Sequence, residues 1–150
     1  MVEALQALRG VQCTVAGTTG AERGDLTRFE HPRQRMHDLG LTPSASSSGG
    51  RRQQASMTKT GKTHARHALV EGAWAYRYPA KVSRHLQRRL EKLPTAGQAI
   101  SWKAQVRLCK RSRHLMAKGK NANQVVVAIA RELSAFMWAI AKHMAVTPKA

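Results

Sequence analysis

From His64 to the end of the chain, apolar residues return every three or four positions, and that rhythm specifies helices. Ala65, Ala68, Leu69, Gly72, Ala73 and Tyr76 fall along one side of a first helix, which Pro79 ends. Most are small, so a partner can pack closely. Val82, Leu86, Leu90 and Leu93 stripe a second helix, closed by Pro94 and Gly97. A third runs from about Gln98 to Ala117, with Ile100, Ala104, Leu108 and Leu115 together on the wheel. Lys103, Arg107 and Lys110 share its neighbouring face, at i, i+4 and i+7. Gly119–Asn123 reads as a turn, with Asn121 or Asn123 capping the last helix. That helix carries Val126, Ile129, Ala130, Leu133, Met137 and Ile140 on one long apolar face.

The first third is less regular. Leu5–Val15 alternates small and apolar residues around Gly10, and Pro32 suits the first turn of a short helix that stops near Gly40. Thr42–Thr63 is rich in Ser, Gly, Thr and basic residues, shows no apolar period, and reads as an extended loop. No stretch reads as a strand. The expected fold is therefore mainly α: a small helical domain with a long Ser/Gly/basic loop and about four C-terminal helices.

Charge bounds the function. The chain has 150 residues, with 26 Lys+Arg against 8 Asp+Glu, for a formal net charge of +18. Residues 1–50 balance Arg9, Arg23, Arg28, Arg33 and Arg35 against Glu3, Glu22, Asp25, Glu30 and Asp38. The whole excess therefore lies in residues 51–150. A surface that repels itself this strongly calls for a polyanion, and nucleic acid leads, because Lys and Arg displace counterions condensed on phosphates. Cys13 and Cys109 are far apart and lack a CxxC context, so they read as small hydrophobes in a reducing cytosol. No signal peptide opens the chain, and Val125–Ala141, interrupted by Arg131 and Glu132, reads as too short and too charged to span a bilayer.

Several motifs fail on inspection. Gly61-Lys62-Thr63 matches the end of a phosphate-binding loop, but Ser56 stands where its first glycine belongs and no apolar strand precedes it. After Asp38 there is no aspartate, and Glu71, Glu91 and Glu132 lie on separate helices at surface-like positions, so no two-metal nuclease site can be assembled. His64 and His67 could share a face, yet there is no His-Glu-x-x-His and no ligand set to complete a zinc site. Trp74, Tyr76 and Tyr78 around Arg77 could stack on bases, but these rings, like Trp102 and Trp138, fit core packing better. The Ser46-Ser47-Ser48-Gly49-Gly50 run has two readings. Its composition is that of a linker. It also places serines beside Arg51, Arg52 and Lys59, where positive charge would favour attack on a phosphodiester.

The ordered set Leu39-Gly40-Leu41, Pro43, Ser48-Gly49, Arg51-Arg52, Thr58-Lys59, Gly61, then Arg66 with Leu69, resembles the C-terminal transposase domain of the DEDD-type insertion-sequence transposases. This is the IS-one-ten family, in its IS-eleven-eleven-like branch, related to Piv-type DNA invertases. "ISWKAQVRLCKR" and "NQVVVAIARELSAFMWAIA" look like the family's last two helices, and "LRGVQCTVAGTTGAERGDLTRF" is similar to its helix-hairpin-helix-like segment. On this resemblance residues 1–41 form that segment, 42–63 the serine-bearing basic loop, and 64–150 the basic helical region of the same domain.

The resemblance implies a DNA-binding transposase or recombinase fragment. Ser48 is the implied nucleophile, with Ser47 as the fallback one register away. Arg51, Arg52, Lys59, Lys62 and Arg66 are implied phosphate contacts, joined by the Lys103, Arg107 and Lys110 face. Family members carry their metal-binding acids in an N-terminal RuvC-like domain, so no cofactor is expected in this chain and divalent metal (Mg) only in that acidic domain. The implied partners are DNA, a structured guide RNA, and a separately encoded acidic domain or a second copy, without a membrane. The implied setting is the bacterial cytoplasm, at the nucleoid. Departures point to erosion. The helix-hairpin-helix pattern expects a second glycine where Gln12 stands, Arg23 occupies an apolar position, and Gly17 and Gly20 weaken a helix. The expectation is a truncated transposase, inactive in isolation; the alternative is a non-catalytic basic nucleic-acid-binding protein.

Overall fold

The structure is a computed structural model. It describes residues 2–23, 26–41, 43–48, 51–57 and 63–146, with side chains at 2–19, 26–41 and 63–146. Its order is α1 (Val2–Leu5), α2 (Cys13–Arg23), a 3-10 turn at Leu26–Arg28, α3 (Pro32–Asp38), strands β1 (Pro43–Ser48) and β2 (Arg51–Met57), and α4 (Thr63–Ala73). A second 3-10 turn, Trp74–Arg77, leads to α5 (Arg84–Leu90), α6 (Thr95–Ala117) and α7 (Ala122–Val146). The chain is mainly α. The departure lies at 43–57, expected as an extended loop, where β1 and β2 pair as an antiparallel ribbon. Ser, Gln and Arg side chains leave no apolar alternation there, so periodicity could not reveal the strands.

Helix α7 is the centre of the molecule. Val125, Val126, Ile129, Ala130, Leu133, Met137, Ile140 and Ala141 are buried along it, against α1, α3, α4, α6 and the Leu26–Arg28 turn. At 25 residues it extends beyond the Val125–Ala141 stretch read as too short and too charged for a bilayer, and by length and composition it is long and apolar enough to cross a membrane. Its apolar face is nevertheless taken up by the core. Polar bonds fix its second half: Trp138 Nε1 donates to Phe29 O at 2.8 Å and Lys142 Nζ to Thr27 O at 2.7 Å.

Glycines end the helices where the sequence placed them. Gly40 (φ +67°) follows α3, with Leu41 N bonded to Met36 O and Gly40 N to His37 O. Gly119 (φ +78°) follows α6 with the same pair of bonds, Lys120 N to Leu115 O and Gly119 N to Met116 O. Both are Schellman ends, which need a left-handed residue just past the helix. Asn121 Oδ1 then accepts from Asn123 N at 2.9 Å and opens α7. Gly97 is different. Expected to stop a helix, it lies inside the first turn of α6, buried, where a Cβ would meet Leu93 at 3.6 Å.

The α1–α2 segment is a helix, hairpin and helix, and Gly17 and Gly20 sit inside α2 without breaking it. Its hairpin is seated on α4 backbone to backbone. Gly10 (φ +82°) faces Gly72, and a Cβ on Gly10 would collide with the Gly72 carbonyl oxygen. A Cβ on Gly72 would stand 2.8 Å from Gly10 O. The small residues read along α4 thus serve this close approach.

Candidate nucleic-acid interface

Each implied catalytic residue can be placed on the ribbon. Ser48 ends β1 and pairs with Arg51, the first residue of β2; Ser47 pairs with Arg52. The backbone register therefore sets both candidate serines opposite the two arginines implied to hold phosphate. Lys59 and Lys62 lie outside the described residues.

Arg66 enters on the first turn of α4. It was expected to reach a phosphate, but it is 9% exposed and its Nη1 has no hydrogen-bond partner. A guanidinium nitrogen unpaired among the described residues at that depth is costly, so Arg66 is not a freely exposed contact. His64 and His67 are exposed on the same helix, and among the described residues no group of three or more His, Cys, Asp or Glu could hold a metal. The donor set here does not fit a divalent ion.

The α6 face is divided. Lys103 and Lys110 are exposed. Arg107 is exposed as well, but its Nε bonds Glu132 Oε2 on α7 at 2.8 Å, while Arg111 Nε stands 2.7 Å from Oε1. Glu132 is not at an open surface position: its side chain is 13% exposed, clamped between two guanidiniums. Arg107 thus has its Nε paired with a carboxylate while its side chain stays exposed.

The aromatics also divide. Tyr76 is fully buried, while Tyr78 and Trp102 are 54% and 48% exposed, against the expectation of core packing. Arg77 lies 4.8 Å from the Tyr78 ring centroid and 5.8 Å from that of Trp74, a cation–π arrangement at the surface. Burial pushes the Tyr76 hydroxyl far up from its ordinary value, Cys109 adds to the rise, and Arg9 offsets part of it. Cys109 is itself raised by burial and eased by Arg9 and Arg113.

One grouping was missed. Arg9, Lys81, Ser83, His85 and Arg89 line a cleft between the α1–α2 hairpin and α5. Some seventy residues separate its two walls in the chain, so no local spacing announces it.

A family model for "Transposase IS116/IS110/IS902 family" matches residues 2–89. The chain belongs to this transposase family. The match runs from α1 to the next-to-last residue of α5, and so takes in the hairpin, the ribbon, α4 and the cleft. Among curated relatives, "Putative transposase y4qE" of Sinorhizobium fredii is 47% identical over 143 residues, 95% of this chain and 37% of that protein. "Probable family 20 transposase" of Pseudomonas aeruginosa is 27% identical over 146 residues, 93% of this chain and 35% of that protein. This family member therefore spans just over a third of the length of the relatives it matches, and its α6–α7 pair, beyond the family match, is shared with both in the aligned length.

Proposed function

We propose that this chain supplies the serine-bearing, DNA-binding part of a transposase, and that its acids come from a partner. The observation that carries the reading is the register of the ribbon: within a transposase-family match, Ser48 stands opposite Arg51 and Ser47 opposite Arg52. Phosphoryl attack needs a nucleophile beside fixed positive charge, because negative charge grows on the non-bridging oxygens. Ser48 Oγ attacks the phosphorus of a DNA phosphodiester. The Oγ–P bond forms, the P–O bond to one neighbouring deoxyribose breaks, the serine proton passes to a base on the partner, and the departing sugar oxygen takes up a proton as a hydroxyl. One phosphodiester becomes another, so the link stores what rejoining needs. Arg51, Arg52, Lys59 and Lys62 supply the phosphate contacts. No step is routed through a metal in this chain. A structured RNA guides the exchange, and the further partner is a separately encoded acidic domain or a second copy.

The test is covalent trapping. The chain is incubated with labelled transposon-end DNA, with and without a RuvC-like acidic domain and candidate guide RNA. A protein–DNA adduct that needs the partner set and disappears in Ser48→Ala is the expected result. An adduct that survives Ser48→Ala and disappears in Ser47→Ala moves the nucleophile by one residue. No adduct with the full partner set overturns the catalytic reading and leaves a nucleic-acid-binding protein.

A further inference from the structure

The cleft between the hairpin and α5 has a volume of about 290 Å³. Arg9 and Gln12 come from the hairpin wall; Lys81, Ser83, His85 and Arg89 come from the other. Three of these are permanent cations, and among the described residues no acid lines the cleft. None of Arg9, Lys81, His85 or Arg89 is ion-paired with a described acid.

The two guanidiniums brace the walls reciprocally. Arg9 Nη1 crosses to donate to Pro79 O at 2.7 Å, with Gln105 Oε1 at 3.4 Å beyond it. Arg89 Nη1 crosses the other way, to Gln6 O at 3.4 Å. Gln105 Oε1 also accepts from Lys81 N at 3.1 Å, which fixes the start of the second wall. These acceptors are neutral, so they orient the cations without cancelling their charge. Each guanidinium has five N–H donors, and the bonds drawn here engage one nitrogen of each.

Further cations lie next to the cleft residues in the chain. Arg84, Arg88 and Lys92 recur at i, i+4 and i+8 and are all exposed. Glu91 is the one acid on this stretch, at the end of α5. A cleft suited to one anion, with exposed Arg84 and Arg88 on the same helix and Lys92 just past its end, fits a repeating anion better than a small one.

We propose that this cleft seats a phosphodiester of a nucleic-acid backbone, held by Arg9, Lys81 and Arg89 and extended along Arg84, Arg88 and Lys92. It is a second contact, apart from the serine ribbon. It rests on the nucleic-acid reading of the family but not on serine catalysis. Phosphate charge is common to DNA and RNA, and the test separates them.

Binding of a duplex DNA and of an RNA hairpin of matched length is measured by fluorescence anisotropy across a salt series, with the full chain. Lys81→Gln/Arg88→Gln changes two exposed residues whose side chains make no described hydrogen bond. It is expected to weaken binding about tenfold at moderate salt and to lower the log–log salt slope by about two. Arg9→Gln/Lys81→Gln/Arg89→Gln is expected to weaken it further where circular dichroism shows a folded chain. Lys118→Gln/Lys120→Gln, two exposed lysines past the end of α6, is the control, expected within about threefold of wild type. Loss confined to DNA, or confined to RNA, supports the cleft and names its occupant. Wild-type affinity and slope in the exposed double variant overturn it. Failure of the wild-type chain to bind either nucleic acid in a salt-dependent way instead overturns the nucleic-acid reading itself.

Discussion

On one side of the molecule, Arg107 and Arg111 of α6 converge on Glu132 at 2.8 and 2.7 Å. On another, Arg9 and Arg89 reach across a cleft to carbonyl oxygens at 2.7 and 3.4 Å. Both pairs are ordered, and both sit in a strongly basic chain. They differ in the acceptor. A carboxylate neutralises what it holds, whereas a backbone carbonyl positions a guanidinium and leaves its charge available. Net charge alone therefore says little about where a polyanion binds; the local counter-charge decides it.

The strongest way to break this comparison is to unseat the hairpin that forms one wall of the cleft. Gly10→Ala adds a Cβ in a left-handed conformation and drives it at the Gly72 carbonyl. Left-handed strain and an overpacked contact with backbone together should cost about 2–4 kcal/mol. Urea denaturation should show the unfolding free energy fall by that amount, with a correspondingly lower midpoint, and nucleic-acid binding should weaken with it where the variant is folded. The α6–Glu132 clamp lies elsewhere and should not rescue either. Near-wild-type stability in Gly10→Ala would mean that the hairpin does not depend on this contact.

The comparison is sharpened from the other side by Glu132→Gln. It keeps an acceptor on α7 and removes the charge that holds Arg107 and Arg111. With Arg107 61% exposed, the pair is largely screened, so the stability loss should be modest, within about 1 kcal/mol. Binding should move in the opposite direction from the cleft variants: tighter, with a steeper salt slope, as the two arginines are released. Weaker binding in a folded Glu132→Gln chain would show that the clamp organises a contact rather than occupying one.

What could be read from the sequence followed from local rules. The α3 and α6 ends were legible because a left-handed residue just past a helix is nearly always Gly, and Gly40 and Gly119 stand there. The apolar face of α7 was legible from its period. Gly97 was misread because glycine also occurs inside helices, and here it sits in the first turn of α6, where a Cβ would make only ordinary contact with Leu93. Arg66 was assigned to phosphate from its charge and motif position, and neither shows that the fold buries it. The clamp was hidden because Arg107 and Glu132 lie 25 residues apart on different helices. The cleft was hidden more deeply, since the Arg9–Pro79 bond that sets its width spans 70 residues. The ribbon has no alternating pattern because neither of its faces is apolar in sequence.

The smallest expected effect concerns Tyr76, whose hydroxyl feels the charge of Arg9. Tyr76 is fully buried, and its hydroxyl has no hydrogen-bond partner. Removing an unsatisfied buried hydroxyl without changing the ring should be neutral or slightly stabilising, by less than about 1 kcal/mol near neutral pH. Alkaline pH separates the two chains further. Burial raises the folded hydroxyl above its ordinary value of 10.0, so the folded state keeps a proton that the unfolded state releases. Stability contributed by the protonated form is complete below that ordinary value and is lost as pH rises above it. Cys109, raised in the same sense, begins to lose its share from its ordinary value of 9.0. Tyr76→Phe should therefore unfold less readily than wild type above pH 10 and match it closely at pH 7, as followed by urea midpoints at each pH. Because Arg9 keeps its bonds to Pro79 and Gln105, nucleic-acid affinity at neutral pH should stay unchanged. A drop in that affinity would place the tyrosine hydroxyl among the groups that set the charge of the cleft, and the neutral acceptors around Arg9 would no longer account for it alone.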